Sequence, residues 1–285
     1  MISRRLMLRS IRRLYEWVKN DPVDEELRGW SWDKPPLKPR AYLGLTISEI
    51  ASKYCQTRRN IWLLRKMNVK PEATEPLQKG KLIHESISLA ISGASRLLTN
   101  GYKPWEAYEA LKNHWRKIAQ LSECNTPRTI EAIYKYTLMI VLGEASYEAL
   151  VHGQSSPQVI ISEYRVDGSS LGLSSSLSID VLTDNVIIDF KYGAPREFHK
   201  LSLTGHALAL ESELEIPFNY GLLIYYSDGG RSIKASYRPI YISNNLRRWF
   251  IEERDSIIDM LLDEQEPPRD SDCPLECPFY KVCNQ

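Results

Sequence analysis

The chain has 285 residues, 43% of them hydrophobic and 26% charged, with a net charge of +1. That length provides for one large domain or two small ones around a substantial core, and the composition is ordinary for a globular protein. No run of 18 or more apolar residues occurs, which excludes a membrane-spanning helix, and "MISRRLMLRSIRRLYEW" lacks the apolar core and cleavage site of a secretory signal.

The near-zero charge hides an asymmetry. Residues 1–66 hold 15 Lys/Arg against 7 Asp/Glu, a surplus of 8 that leaves the remainder about −7 against the total of +1. A basic front end suits a nucleic-acid partner and equally suits a solvated charged face. The five cysteines are Cys55, Cys124, Cys273, Cys277 and Cys283. An odd number without a secretory signal argues against a disulfide framework, and three cysteines in the last thirteen residues fit metal or cluster ligation in a reducing cytoplasm.

In chain order, residues 2–19 are predicted as a basic helix, and 20–45, rich in Pro and Trp, as an irregular linker. Thr46, with Glu49 three residues on, caps a predicted helix running to about Met67 that contains Cys55. Further helices are predicted near 77–98, 103–121 and 127–151, with Pro76, Pro104 and Pro127 near their starts. The pattern then changes: "QVIISEYRV", "LSSSLSIDVL", "VIIDFKY", "FNYGLLIYY" and "SIKASYRPIYI" are predicted strands, with helices near 196–213 and 244–264. The fold class is therefore α/β, with a helical front part. The expected organisation is 1–45 as helix and linker, 46–151 as a helical part with Cys55 and His84, 152–266 as the sheet-bearing core, and 267–285 as a cysteine tail packed back on the helical part.

The stretch "SLSIDVLTDNVIIDFKYG" places Asp180, Asp189 and Lys191 in otherwise apolar strands. A two-residue turn at Asp184-Asn185, both tolerant of positive φ, sets Thr183 against Val186, Leu182 against Ile187, Val181 against Ile188, and Asp180 against Asp189. Asp189 and Lys191 then share a face and Phe190 points the other way. Two carboxylates directly opposed repel, so something must offset the charge. A divalent cation on hard oxygen ligands would do so; so would Lys191 alone, or a solvent-facing edge.

These residues carry a resemblance. Asp180 followed by Asp189-x-Lys191 across a hairpin resembles the PD-(D/E)xK nuclease signature. The helical His84 in "GKLIHESI" resembles the RecB-like branch of those nucleases. Cys55 with the terminal "CPLECPFYKVC" resembles the split cysteine set of the iron–sulfur branch. Together they resemble the CRISPR-associated, RecB-like, iron–sulfur nuclease family of the spacer-adaptation module (its fourth family, archaeal branch), over about Thr46 to Cys283.

The resemblance implies a restriction-endonuclease-like mixed central sheet flanked by helices. It also implies a metal-dependent DNA nuclease, exonuclease rather than endonuclease, acting on single strands or overhangs to process fragments for spacer acquisition beside integrase-type adaptation proteins. Asp180, Asp189, the Phe190 carbonyl and neutral His84 would hold Mn²⁺ or Mg²⁺, the imidazole favouring manganese. Lys191 would orient the attacking water or stabilise the oxyanion. A helix histidine satisfied by a backbone carbonyl is the structural alternative for His84. Glu163 is a further ligand, a base, or an exposed strand residue. The family usually carries Gln and, four residues later, Tyr in the helix after the lysine; here Ser202 and His206 stand at those positions. That departure supports a rival function, a non-catalytic DNA-binding adaptor that retains the nuclease-like core.

Cys55, Cys273, Cys277 and Cys283 suit a [4Fe–4S] cluster, with zinc as the alternative for a four-cysteine set. The x₃ and x₅ spacing departs from the family's usual x₂ then x₅. Cys124 is left as a buried small hydrophobe. Arg58 and Arg59, next to Cys55, are candidates for DNA phosphate contact or for a solvated face.

Overall fold

Five strands form a single mixed sheet in chain order: β1 Ile161–Val166, β2 Leu177–Thr183, β3 Val186–Tyr192, β4 Tyr220–Asp228 and β5 Ile233–Tyr241. The computed structural model describes residues 3–120, 127–153, 160–228, 233–263, 265–271 and 273–283. Cys124 lies outside them. The β1–β2, β2–β3 and β4–β5 neighbours are antiparallel and β3–β4 is parallel. A parallel step needs a crossover, and helix α9, Lys200–Leu214, supplies it. The remaining helices are α1 Arg4–Arg12, α2 Tyr15–Asn20, α3 Ile47–Ala51, α4 Arg59–Lys66, α5 Glu75–Thr99, α6 Pro104–Leu111, α7 Trp115–Gln120, α8 Pro127–His152, α10 Asn244–Leu262 and α11 Tyr280–Cys283. The architecture is α/β, a mixed central sheet with helices on both faces.

Alternation along the strands builds two cores. Ile187, Leu223 and Tyr225 pack with Leu201 and Leu203 of α9 and Phe250 of α10. Ile188, Phe190, Leu222 and Ile224 pack on the opposite side with Ile83 and Ile87 of α5, Tyr134 and Leu138 of α8, and Met7 of α1. The turn between β2 and β3 is the expected one. Asp184 and Asn185 have φ of 47° and 57°, the left-handed pair that a two-residue hairpin of matching twist requires. Thr183–Val186, Leu182–Ile187 and Val181–Ile188 pair as predicted.

The alternation breaks at Asp180. Leu177 and Ile179 belong to the first core, yet Val181 belongs to the second. In β1 the pairs Ser162–Val181 and Tyr164–Ile179 flank an unpaired Glu163, whose φ is +53°. Both strands change face at one level, which turns Asp180 out of either core.

The helix expected over 2–19 divides into α1 and α2 at Arg13-Leu14. Residues 21–45 contain only short 3₁₀ turns, but they form a strap, with Leu27, Leu37 and Leu45 wholly buried in the first core. Gly29 is where the strap meets α9: a Cβ there would fall 2.1 Å from the Leu208 carbonyl oxygen. Every residue of α9 from Leu201 to Glu211 is buried, so the charge of Glu211 is drawn inside. Its carboxylate accepts from Arg28 Nη1 at 2.8 Å, Gly29 N at 2.9 Å, Phe218 N at 3.0 Å, and Arg247 Nη1 and Nη2 at 2.6 and 2.8 Å. Arg247 on α10 is itself fully buried, so this hub binds the strap, α9 and α10 together.

The helix expected from Thr46 to Met67 is two helices. The Thr46–Glu49 capping box forms, but α3 ends at Ala51 and α4 starts only after Arg58, whose φ is +60°. Cys55 therefore sits in the connection rather than in a helix. Arg58 is buried, and its guanidinium donates to the carbonyls of Glu49, Ile50 and Ser52, the unsatisfied end of α3, and to Glu253 at 2.6 Å. The predicted 103–121 helix likewise divides into α6 and α7.

The C-terminal tail returns to this connection. Phe279 packs with Trp62 and Leu63 of α4, beside Cys277 and Cys283. Gln56 N donates to Asp270 at 3.0 Å, and Glu72 N donates to the Pro278 carbonyl at 2.9 Å.

Candidate active site

A cleft of about 660 Å³ opens between the N-terminal part of α5, the α3–α4 connection, α9 and strands β2 and β3. His84, Asp180, Asp189, Phe190, Lys191, Ser202 and His206 all line it. Asp189 and Lys191 project to the α9 side of β3, and the Phe190 ring is buried on the other side, 6.1 Å from Tyr226. Asp180 reaches the cleft from the face change described above.

The site is electrostatically closed as it stands. His84 Nδ1 lies 3.0 Å from Asp180 Oδ1, and Phe190 N donates to Asp180 Oδ2 at 2.9 Å. Lys191 Nζ lies 2.6 Å from Asp189 Oδ2 in an ion pair. Burial pushes the Asp180 carboxyl upward, but attraction to His84, its hydrogen bond, Lys191 and the Phe190 amide outweigh it and hold it below the ordinary range. Burial opposes the charged forms of His84 and Lys191 too; Asp180 raises His84 above its usual value, and Asp189 with Asp180 does so for Lys191. Among the described residues no three His, Cys, Asp or Glu side chains converge closely enough to hold an ion in this conformation.

The α9 wall is neutral. Ser202 Oγ donates to the His199 carbonyl at 2.7 Å. His206 is buried, its Nδ1 has no partner, and desolvation lowers its pKa. His199 holds Tyr225 Oη at 3.2 Å on Nδ1 and Tyr54 Oη at 3.3 Å on Nε2. Burial, then Lys191 and Arg196, depress it to about 4. Unfolded His199 takes its proton near pH 6.5 and the folded residue only near 4. The unfolded state therefore holds more protons in between, and stability falls as pH falls through that window. Urea unfolding at pH 7 and 5 is expected to show a decline of up to about 1.4 kcal/mol per pH unit from this residue, less where cleft water screens the ring. His199→Gln removes that share, and identical slopes in the two proteins would refute the assignment.

Two groups of predicted residues lie elsewhere. Glu163 is exposed outside the cleft and accepts from Ser178 Oγ at 2.5 Å, because the face change turns it away as it turns Asp180 inward. Arg58 and Arg59 are internal struts rather than phosphate contacts. Arg58 closes α3, and Arg59 donates to the Pro267 carbonyl at 2.9 Å and pairs with Glu266. Neither lines the cleft. His199, Ser202 and His206, spaced i, i+3 and i+7, share a helix face and all line the cleft; no sequence signal pointed to Tyr54, which lines it too.

The cysteines are gathered as well. Cys273 and Cys277 are in hydrogen-bond contact, and Cys283 lies beside Arg59. Burial together with its neighbours Cys277, Cys283 and Cys55 pushes the Cys273 thiol up to about 11. Burial also raises the Cys283 thiol, against the pull of Arg59.

A family model described as CRISPR-associated exonuclease Csa1 matches residues 1–285. A relative described by the same words, from Thermoproteus tenax, is 31% identical over 269 residues, covering 92% of this chain and 91% of its own. Another so described, from Saccharolobus solfataricus, is 32% identical over 292 residues, covering 98% and 97%. The solved structure of SSO0001 matches at 17% identity over 62% of this chain and 78% of its own, with a TM-score of 0.28. Among the described residues no helix is long and apolar enough to cross a membrane. With a match along its whole length and relatives above 30% identity over nearly all of it, the chain belongs to the CRISPR-associated exonuclease Csa1 family, whose role is that of a nuclease in CRISPR systems.

Proposed function

We propose that this chain is a metal-dependent deoxyribonuclease that trims single strands or overhangs in a reducing cytoplasm, supplying fragments for spacer acquisition alongside integrase-type proteins. The reading is carried by one observation: His84, Asp180, Asp189 and Lys191 meet in one cleft from α5, β2 and β3. Two hard carboxylates and an imidazole are a donor set that fits Mn²⁺ or Mg²⁺, with Mn²⁺ favoured by the nitrogen.

When bound, such an ion supplies an acidified water and positive charge against the phosphate. Asp180, Asp189, the Phe190 carbonyl and His84 would hold it. To do so His84 must release Asp180, and Lys191 must release Asp189. The freed Lys191 then faces the attacking water or the developing oxyanion. Water oxygen bonds to phosphorus, the bridging P–O bond breaks, and the leaving oxygen takes a proton. The buried Asp189 and the apolar backing of Phe190 keep this charge rearrangement out of bulk water.

Cys55, Cys273, Cys277 and Cys283 would ligate a group that takes four thiolates, a [4Fe–4S] cluster or Zn²⁺, once drawn closer together than they stand here. Its role is structural, clamping the tail onto the α3–α4 connection. A 5′- or 3′-labelled oligonucleotide incubated with Mn²⁺ is expected to shorten, and EDTA is expected to stop it. Anaerobically purified protein is expected to be brown and to hold iron; a colourless zinc protein would replace the cluster and leave the nuclease intact. The rival reading is a non-catalytic adaptor, favoured by Ser202 and His206 in the α9 wall. Salt-sensitive DNA binding with no Mn²⁺-dependent cleavage on any strand tested would establish it.

A further inference from the structure

Tyr54 combines two properties that rarely coincide. The residue is 62% exposed, yet its side chain has fixed partners. The hydroxyl meets His199 Nε2 at 3.3 Å, and the ring stands edge-to-face with Phe198 at a centroid distance of 5.0 Å. His199 is in turn held by Tyr225 at 3.2 Å. Groups near Tyr54 in sequence are also tied down: Lys53 pairs with Glu253, Arg58, four residues on, binds the same carboxylate at 2.6 Å, and Gln56 N donates to Asp270 at 3.0 Å. A large ring is thus presented to water in one orientation, so a planar partner would meet it without paying for its ordering.

The ring lines the same cleft as Asp180, Asp189 and Lys191. Of the other cleft aromatics, Phe198 is the ring that Tyr54 rests against, and Tyr192 already carries Lys79 Nζ at 4.5 Å from its centroid. Lys81 and Arg165 lie on the rim and supply positive charge for a phosphate backbone. An exposed, rigid aromatic next to such charge is the arrangement that grips single strands, because every unpaired base has a face to stack.

We propose that Tyr54 is the stacking platform for one unpaired base of the substrate strand, and so a specificity-determining residue that selects single-stranded DNA. The inference rests on the deoxyribonuclease function proposed above and names the group that enforces its strand preference. A base pair inside a duplex has both faces covered by its neighbours, so away from a blunt end the platform holds only a strand already open at that nucleotide. Tyr54 sits one residue before Cys55, so whatever the four cysteines hold also fixes the platform's position.

The test is a cycle between protein and substrate. Mn²⁺-dependent cleavage is measured on an oligonucleotide series in which an abasic site is moved one nucleotide at a time along the terminal segment. Tyr54→Ala is expected to raise KM for the intact strand about tenfold with kcat nearly unchanged. The wild type is expected to lose a similar factor when the abasic site occupies one particular position, and Tyr54→Ala to be insensitive at that position. Tyr54→Trp keeps a stacking face without the native hydroxyl and is expected to recover most of the KM loss. A fluorescent 2-aminopurine at that position is expected to be quenched by the wild type and not by Tyr54→Ala. Equal KM values for the wild type and Tyr54→Ala, or equal sensitivity of both to every abasic position, would overturn the inference. A wild type that cleaves no single strand would instead overturn the function on which it rests.

Discussion

Replacing Glu211 by glutamine is expected to lower the unfolding free energy by about 3–5 kcal/mol, a large part of the roughly 5–15 kcal/mol that holds a native domain. Glutamine has nearly the same shape and keeps one acceptor oxygen, so the loss isolates charge. Glu211 takes five N–H donors, three of them from the guanidinium groups of Arg28 and Arg247. Without the carboxylate, two arginines stay in the interior with no counter-charge, and Arg247 has no exposure through which water could screen it. Glutamine's amide hydrogens would also point at donors. Urea titration followed by circular dichroism measures the effect. A loss below about 1 kcal/mol would mean that the strap is held by apolar burial alone.

Asp189→Asn and Lys191→Met are each expected to reduce Mn²⁺-dependent cleavage by at least about 1,000-fold, equivalent to roughly 4 kcal/mol of transition-state stabilisation. The two should differ in metal uptake. Asparagine removes a hard anionic ligand, so calorimetry is expected to show weakened Mn²⁺ binding. Methionine removes the cation 2.6 Å from Asp189, so Mn²⁺ is expected to bind at least as tightly while turnover is lost. Far-ultraviolet circular dichroism should be unchanged in both, because both side chains line the cleft and each replacement is close in shape. Undiminished cleavage by both variants would remove this cleft from the reaction.

The parts of this site that could be read from sequence are those governed by local rules. Asp184-Asn185 between alternating apolar residues defines a hairpin register that sets Asp189 and Lys191 on one face; the predicted Asp180–Asp189 pair does not form, because the ladder ends at Val181–Ile188 and Asp180 enters the cleft through the change of face. The long helix with His84 was legible through its period and its proline start. What escaped was decided by distant partners. Arg58 in "TRRN" looks like a basic surface residue, and only the carbonyl end of α3 and Glu253 explain its burial and its positive φ. Glu211 sits in "ALALESEL", where a glutamate reads as the wet side of a helix; its partners are Arg28, about 180 residues earlier, and Arg247, which no local pattern identifies. For Glu163 the exposed alternative is the one found, and the simultaneous change of face in β1 and β2 that decides it could not be read from either strand alone.

The strap also dictates when this protein can fold. Asp24 and Leu27 bond to Asn244 and Arg247, partners about 220 residues downstream. A ribosome must therefore have made almost the entire polypeptide before the segment around Asp24 and Leu27 can complete these contacts. Until α10 emerges, Phe250 is missing from the first core and Glu211 lacks Arg247, so closure of the strap is long-range rather than stepwise from the beginning of the chain.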